Sequence, residues 1–193
     1  MNESEKKEIL KAIESHKKMV DKLASDGIDV IAAAAEMITE SLRNGGCIYI
    51  CGNGGSAADA QHIAGEFVSR FRRERRALAA VALSTDTSIL TSIGNDYSYK
   101  DVFARQVEAL VRRGDVLWAL STSGGSENVI LAAKEAKNRG AKILAFTGRV
   151  NSNLEKMADV CLCAGSDETF QSQQIHQIAY HIICDIVEKN FCQ

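Results

Sequence analysis

The sequence predicts a doubly wound α/β fold, a parallel sheet sandwiched by helices, and three observations carry that expectation. From residue 47 onward, short apolar runs alternate with helical patterns, as in a parallel sheet covered on both faces. Two of those runs lead directly into glycine- and serine-rich loops that open helices, Gly52-Asn53-Gly54-Gly55-Ser56 and Ser121-Thr122-Ser123-Gly124-Gly125-Ser126. A chain of 193 residues that is 46% hydrophobic suits one globular domain with its own core and leaves little for a second.

The elements follow in order. Two long amphipathic stretches come first, at about residues 2–25 and 28–44, parted at Ser25-Asp26-Gly27 and stopped by Asn44-Gly45-Gly46, which has the form of a helix stop. They are expected to pack as an antiparallel pair. A strand at Cys47–Cys51 precedes a helix from Ser56, and a strand at Ala77–Leu83 precedes a helix near Tyr99–Arg112. Val116–Leu120 precedes a helix from Ser126, and Lys142–Phe146 and Val160–Cys163 complete the sheet before the last helix. The chain has no proline and no low-complexity or linker segment, so residues 1–193 are read as a single domain without a hinge.

Composition narrows the function classes. A formal net charge of -2 argues against strong overall attraction to nucleic acid or anionic lipid, and no apolar run reaches membrane-spanning length. The start MNESEKKEILKAI is charged and amphipathic, unlike a secretory signal, so a cytoplasmic protein is expected. Six cysteines lie mostly in apolar runs and are read as reduced, mostly buried thiols rather than a disulfide scaffold. Cys161 and Cys163 are placed on opposite faces of a strand and not taken as a chelating pair. The basic run of Arg70, Arg72, Arg73, Arg75 and Arg76 reads either as an anion site or as a solvated helix end.

Both glycine-rich loops lie beyond carboxyl ends of strands, where open parallel sheets bind ligands. Ser121, Thr122, Ser123 and Ser126 offer hydroxyls at a helix N-terminus, whose free N–H groups and positive dipole end favour an anion. With no P-loop lysine, a phosphate monoester fits better than a nucleotide. Capping and turn formation alone would use the same residue types. Gly52-Asn53-Gly54-Gly55-Ser56-Ala57 formally matches a dinucleotide fingerprint, but arginines stand where its acidic partner belongs, about twenty positions on. His62 and Glu66, four apart on one helix face, can bind a metal, divide acid and base roles, or form an ordinary polar pair. In the last helix Gln173, Gln177 and His181 share a stripe from which His176 points away. Asp59, Asp96 and Arg70 are further polar candidates that periodicity leaves without a role.

The stretch Cys51–His62, C-G-N-G-G-S-A-A-D-A-Q-H, with Glu66 after it, resembles the phosphoheptose isomerases of the sugar isomerase (SIS) domain family. The likeness continues through Leu83-Ser84-Thr85-Asp86-Thr87, Ile93-Gly94-Asn95-Asp96, Gly114-Asp115-Val116, Ser121-Thr122-Ser123-Gly124 and the helix from Gln173 to His181. The resemblance implies a five-stranded parallel sheet and a homotetramer with active sites at subunit interfaces, residues 1–45 forming a helical pair within that assembly. It implies that Ser121, Thr122, Ser123 and Ser126 hold the substrate phosphate, and that Asn53, Gly54, Gly55 and Ser56 line the sugar site with Asn95 and Asp96. By the same likeness Glu66 is the general base and His181 its acid partner, while His62, Glu66, Gln173 and His181 match the family's zinc ligands, one zinc per subunit. The implied reaction converts sedoheptulose 7-phosphate to D-glycero-D-manno-heptose 7-phosphate through an enediol, for ADP-heptose and lipopolysaccharide or other surface glycans.

The chain departs from the family pattern at Ala77 and Ala79, where proline is common, at Gly125, where asparagine is common, and at Gln171, where arginine is usual. Alternatives are a tetrameric scaffold of the same family that binds a replication initiator, a sugar-phosphate-sensing module, and an isomerase of a related ketose phosphate. The scaffold group lacks the glutamate and histidine that stand here as Glu66 and His181. The first helices show no helix-turn-helix pattern for a regulator.

Overall fold

The computed structural model describes residues 2–192; Met1 and Gln193 lie outside them. Among the described residues, seven α-helices surround one sheet of five strands. Helices α1 (Glu3–Asp26) and α2 (Ile28–Arg43) lead into β1 (Ile48–Cys51), α3 (Gly55–Val68), β2 (Ala80–Ala82), α4 (Thr87–Asp96) and α5 (Ala104–Leu110). Then come β3 (Val116–Ser121), α6 (Glu127–Asn138), β4 (Lys142–Thr147), β5 (Val160–Cys163) and α7 (Thr169–Lys189). The strand order is β2-β1-β3-β4-β5 and every pairing is parallel. The order reverses between β1 and β3, the position where open α/β sheets bind ligands.

Strand β3 shows why the sheet is sandwiched. All six of its residues are buried, because it pairs with β1 on one side and β4 on the other. Alternate side chains enter separate cores. Val116, Trp118 and Leu120 join Ile38, Ile63, Phe67, Tyr180 and Ile183 beneath α2, α3 and α7. Leu117 and Ala119 join Val107, Val129, Ala132 and Ala133 beneath α5 and α6. Each fully buried large apolar side chain contributes about 1.5–3 kcal/mol relative to exposure, so the fold is anchored from both faces of one strand.

Several expectations need correction. The first two helices do not pack as an antiparallel pair. Only Gly27 joins them, with φ -95° and ψ -12°, and few residues of the two helices approach one another. Helix α1 buries none of its residues and is tied instead to α7, through Ser15 to Gln171 and His16 against Phe170. Strand β2 is shorter than expected, since residues before Ala80 form a loop.

A helix missed from the pattern, α4, starts where the Asp86 side chain accepts from the Ile89 N–H; the helix expected near Tyr99–Arg112 is a short 3-10 turn followed by α5. Finally, all six cysteines are free but only Cys51 and Cys184 are fully buried. Cys161 and Cys163, two apart in a strand, share a face by strand geometry instead of opposing one another.

Candidate active site

The loop after β3 brings its hydroxyls together. Ser121 Oγ donates to Ser126 Oγ at 3.0 Å and lies 3.4 Å from Ser123 Oγ, which in turn accepts from the Gly125 N–H. Ser126 is the N-cap of α6, yet its side chain makes no capping bond, having turned inward to Ser121. Simple capping therefore does not explain this loop. Gly124 has φ +60°, a left-handed conformation that glycine adopts without a Cβ penalty, and a Cβ there would run into Ser152. Thr122 is fastened from behind, its carbonyl accepting from Gly148 and Arg149 N–H groups, and its hydroxyl lies 3.5 Å from that of Thr169.

The loop after β1 is locked to the first. Asn53 and Asn128 exchange two amide hydrogen bonds of 2.9 and 2.8 Å, and Tyr99 donates to Asn53 Oδ1 at 3.1 Å. Asn128, buried in the first turn of α6, was missed by sequence reasoning; its place two residues after Ser126 gave no signal of a partner 75 positions away. Ser56 is buried in the first turn of α3. Gly55 is approached so closely by the Gln173 side chain that any Cβ would collide with it. Asn95 and Asp96, expected at the sugar site, lie exposed at the end of α4, with Asn95 donating to Asp96 at 2.8 Å.

A second group forms between α3 and α7. His62, Glu66 and His181 bring ligand-capable atoms within 4.8 Å of one another, although His181 stands more than a hundred positions from the other two. His62 Nε2 lies 2.9 Å from Glu66 Oε1 and its Nδ1 is 3.1 Å from the Tyr180 hydroxyl. The same hydroxyl is 3.5 Å from Asp59, which gives Asp59 a place in the network. Burial, and next the neighbouring His62, hold the His181 imidazole below its ordinary value, with Glu66 opposing them.

These donors fit a divalent transition metal. Two imidazoles and a carboxylate converge, and a phenol steadies the far nitrogen of one ring, as second-shell partners of metal-bound histidines do. Gln173 is about two turns before His181 on α7 and against the start of α3. His176, by contrast, is fully buried; its Nε2 lies 3.0 Å from the Thr147 carbonyl and its ring rests on Phe146. Burial lowers its pKa to about 4.

A family model described as SIS domain matches residues 11–148, and the chain belongs to that family. Within it the chain belongs with the phosphoheptose isomerases. It is 55% identical to the phosphoheptose isomerase of Roseiflexus sp. (strain RS-1) over 160 residues, 83% of this chain and 81% of the relative. It is 45% identical to that of Helicobacter pylori (strain P12) over 183 residues, 95% of each. The solved structure of phosphoheptose isomerase GmhA from Neisseria gonorrhoeae is similar to it with a TM-score of 0.90 and 40% identity, covering 95% of this chain and 98% of that one. These relatives favour the isomerase over the scaffold expectation.

Proposed function

We propose that this chain isomerises sedoheptulose 7-phosphate to D-glycero-D-manno-heptose 7-phosphate. The observation that carries the reading is the convergence of His62, Glu66 and His181 from two distant helices, in a chain whose Ser121–Ser126 loop offers a separate hydroxyl cradle. The cradle takes the phosphate: Ser121, Thr122, Ser123 and Ser126 donate to its oxygens, and the N-terminal end of α6 favours its charge. Asn53, Gly54, Gly55, Ser56, Asn95 and Asp96 line the path of the sugar chain, Gln173 adding a contact from α7.

Glu66 removes the proton from the hydroxymethyl carbon beside the ketone and returns it to the former carbonyl carbon. His181 shuttles a proton between the two oxygens, so that the enediol collapses to the aldose with no net gain or loss of protons. Zinc held by His62, Glu66, Gln173 and His181, one ion per subunit, would supply a Lewis acid for the two oxygens. The product is suited to ADP-heptose and lipopolysaccharide or other surface-glycan synthesis in the cytoplasm.

The active assembly is a homotetramer with its sites at subunit interfaces. In support, His62 is 44% exposed in the single chain, and Val68, Ile178 and Ile182 stand exposed on the same two helices. No described helix is long and apolar enough to cross a membrane.

Incubation of the purified protein with sedoheptulose 7-phosphate, followed by NMR, should show anomeric protons of the aldose phosphate growing in. A folded, zinc-loaded protein that leaves the ketose unchanged would overturn the assignment and redirect it to another ketose phosphate.

A further inference from the structure

We propose that Glu188 and Arg75 are a buried positioning pair for the site between α3 and α7, and that Arg75, whose side chain alone in the arginine run is buried, is thereby an internal fixture and not a binding group for substrate anions. The inference rests on the isomerase reading above, because it concerns the residues that reading assigns to proton transfer.

Glu188 is a carboxylate near the end of α7, only 1% exposed. It accepts from three successive backbone N–H groups, those of Phe71, Arg72 and Arg73, at 2.8, 2.8 and 2.9 Å. Arg75, its side chain also 1% exposed, places Nε 3.6 Å from Glu188. Its guanidinium donates to the Glu66 carbonyl at 2.7 Å and to the Ser69 carbonyl at 2.6 Å. These carbonyls belong to the C-terminal end of α3, where the helix dipole favours a cation. Arg73 adds a 2.7 Å bond to Asp185.

Burial acts to raise the Glu188 carboxyl, but the N–H groups of Arg72, Phe71 and Arg73 and the charge of Arg75 carry it below the ordinary glutamate value. The carboxylate is thus charged and fully engaged inside the protein.

The fixture touches both halves of the reacting group. Arg75 grips the backbone of Glu66 itself. The loop held by Glu188 lays the Phe71 ring on the His181 imidazole, stacked at 5.6 Å and 17°. Helices α3 and α7 are joined here by charge and hydrogen bonds on top of their apolar packing, so the approach of Glu66 to His181 depends on the pair. A glutamine at 188 would offer one oxygen and an NH₂ to a cluster of donors and would leave Arg75 buried without a countercharge, which is costly.

The test compares wild type with Glu188→Gln and Phe71→Leu in the full-length, zinc-loaded protein. Two quantities are read: NMR shifts of the His181 ring protons, displaced by the Phe71 ring current, and the separate values of kcat and KM. Glu188→Gln is expected to move the His181 shifts in the same direction as Phe71→Leu and to lower kcat about tenfold, with KM changed far less. A Glu188→Gln protein that melts earlier yet keeps wild-type His181 shifts and kcat would reduce the pair to a stability element and overturn the proposal. Should that variant not fold, Arg75→Lys, which keeps the charge but loses the fork between two carbonyls, decides by the same readouts. If the wild type itself leaves sedoheptulose 7-phosphate unchanged, the isomerase reading fails while the His181 shifts still decide the positioning role.

Discussion

The serine loop and the histidine–glutamate group are assembled in opposite ways. The first is contiguous: Ser121, Ser123 and Ser126 meet within a single turn between β3 and α6, and its shape follows from local backbone and one left-handed glycine. The second is composite. His62 and Glu66 arrive on α3 and His181 on α7, and their spacing depends on how two helices are held against the sheet. A contiguous site should change chiefly when its own residues change. A composite site should also respond to residues that never touch the substrate.

The most severe break of the composite half is His181→Asn. Its kcat is expected to fall about a thousandfold, within the usual range for loss of a general acid–base group, while thermal melting shifts far less because the residue is only half-buried. Steady-state kinetics beside a melting curve checks this; a loss confined to KM would assign His181 to binding.

The next effect separates the helix that carries His181 from the chemistry. His176 fastens α7 to the end of β4 through the Thr147 carbonyl, and its folded pKa of about 4 lies below the ordinary value of 6.5. Below pH 6.5 the unfolded chain takes up a proton that the folded chain refuses, so stability is lost as pH falls through that window toward 4. Between pH 7 and pH 5 this amounts to about 2 kcal/mol. Urea unfolding at the two pH values should show that loss in wild type and not in His176→Gln; equal losses in both would remove His176 as its source.

In the contiguous half, Ser121→Ala or Ser123→Ala is expected to raise KM about tenfold, the cost of one hydrogen bond to a charged group, with kcat nearly unchanged. An unaltered KM would take the phosphate away from this loop. The smallest effect belongs to Gln171→Arg, which restores the residue usual in the family. Gln171 is occupied by Ser166 and Ser15, so the substitution should cost about 1 kcal/mol of stability and leave kcat/KM within about threefold. A larger gain in kcat/KM would show that this position reaches the sugar.

The same contrast explains what could be read in the sequence. Alternating apolar runs located all five strands, because central parallel strands such as Val116–Ser121 are apolar on both faces. The two glycine-rich loops were visible for the same local reason, each following a strand and opening a helix. The 87–96 stretch carries β-branched residues, Gly94 and Asn95, which blur a helical pattern, and α4 was missed. The antiparallel pair failed because amphipathic periodicity reports that a face exists and not what covers it.

Helical spacing placed His62 beside Glu66, but that His181 meets them came only from family likeness. The roles of Tyr180, Asn128 and Glu188 rest on contacts between distant positions, which no local pattern encodes. The arginine run was legible as charge alone; Asp185 and Glu188, the partners of Arg73 and Arg75, lie on the last helix.

Proton transfer by Glu66 is the central claim, and isotope exchange tests it most directly. Wild type and Glu66→Gln are each incubated with sedoheptulose 7-phosphate in D₂O, and deuterium uptake at the hydroxymethyl carbon is followed by NMR. Uptake in wild type that falls at least about a hundredfold in Glu66→Gln, with the fold retained, is the expected result. Equal uptake in both proteins would contradict it and move the base to another residue.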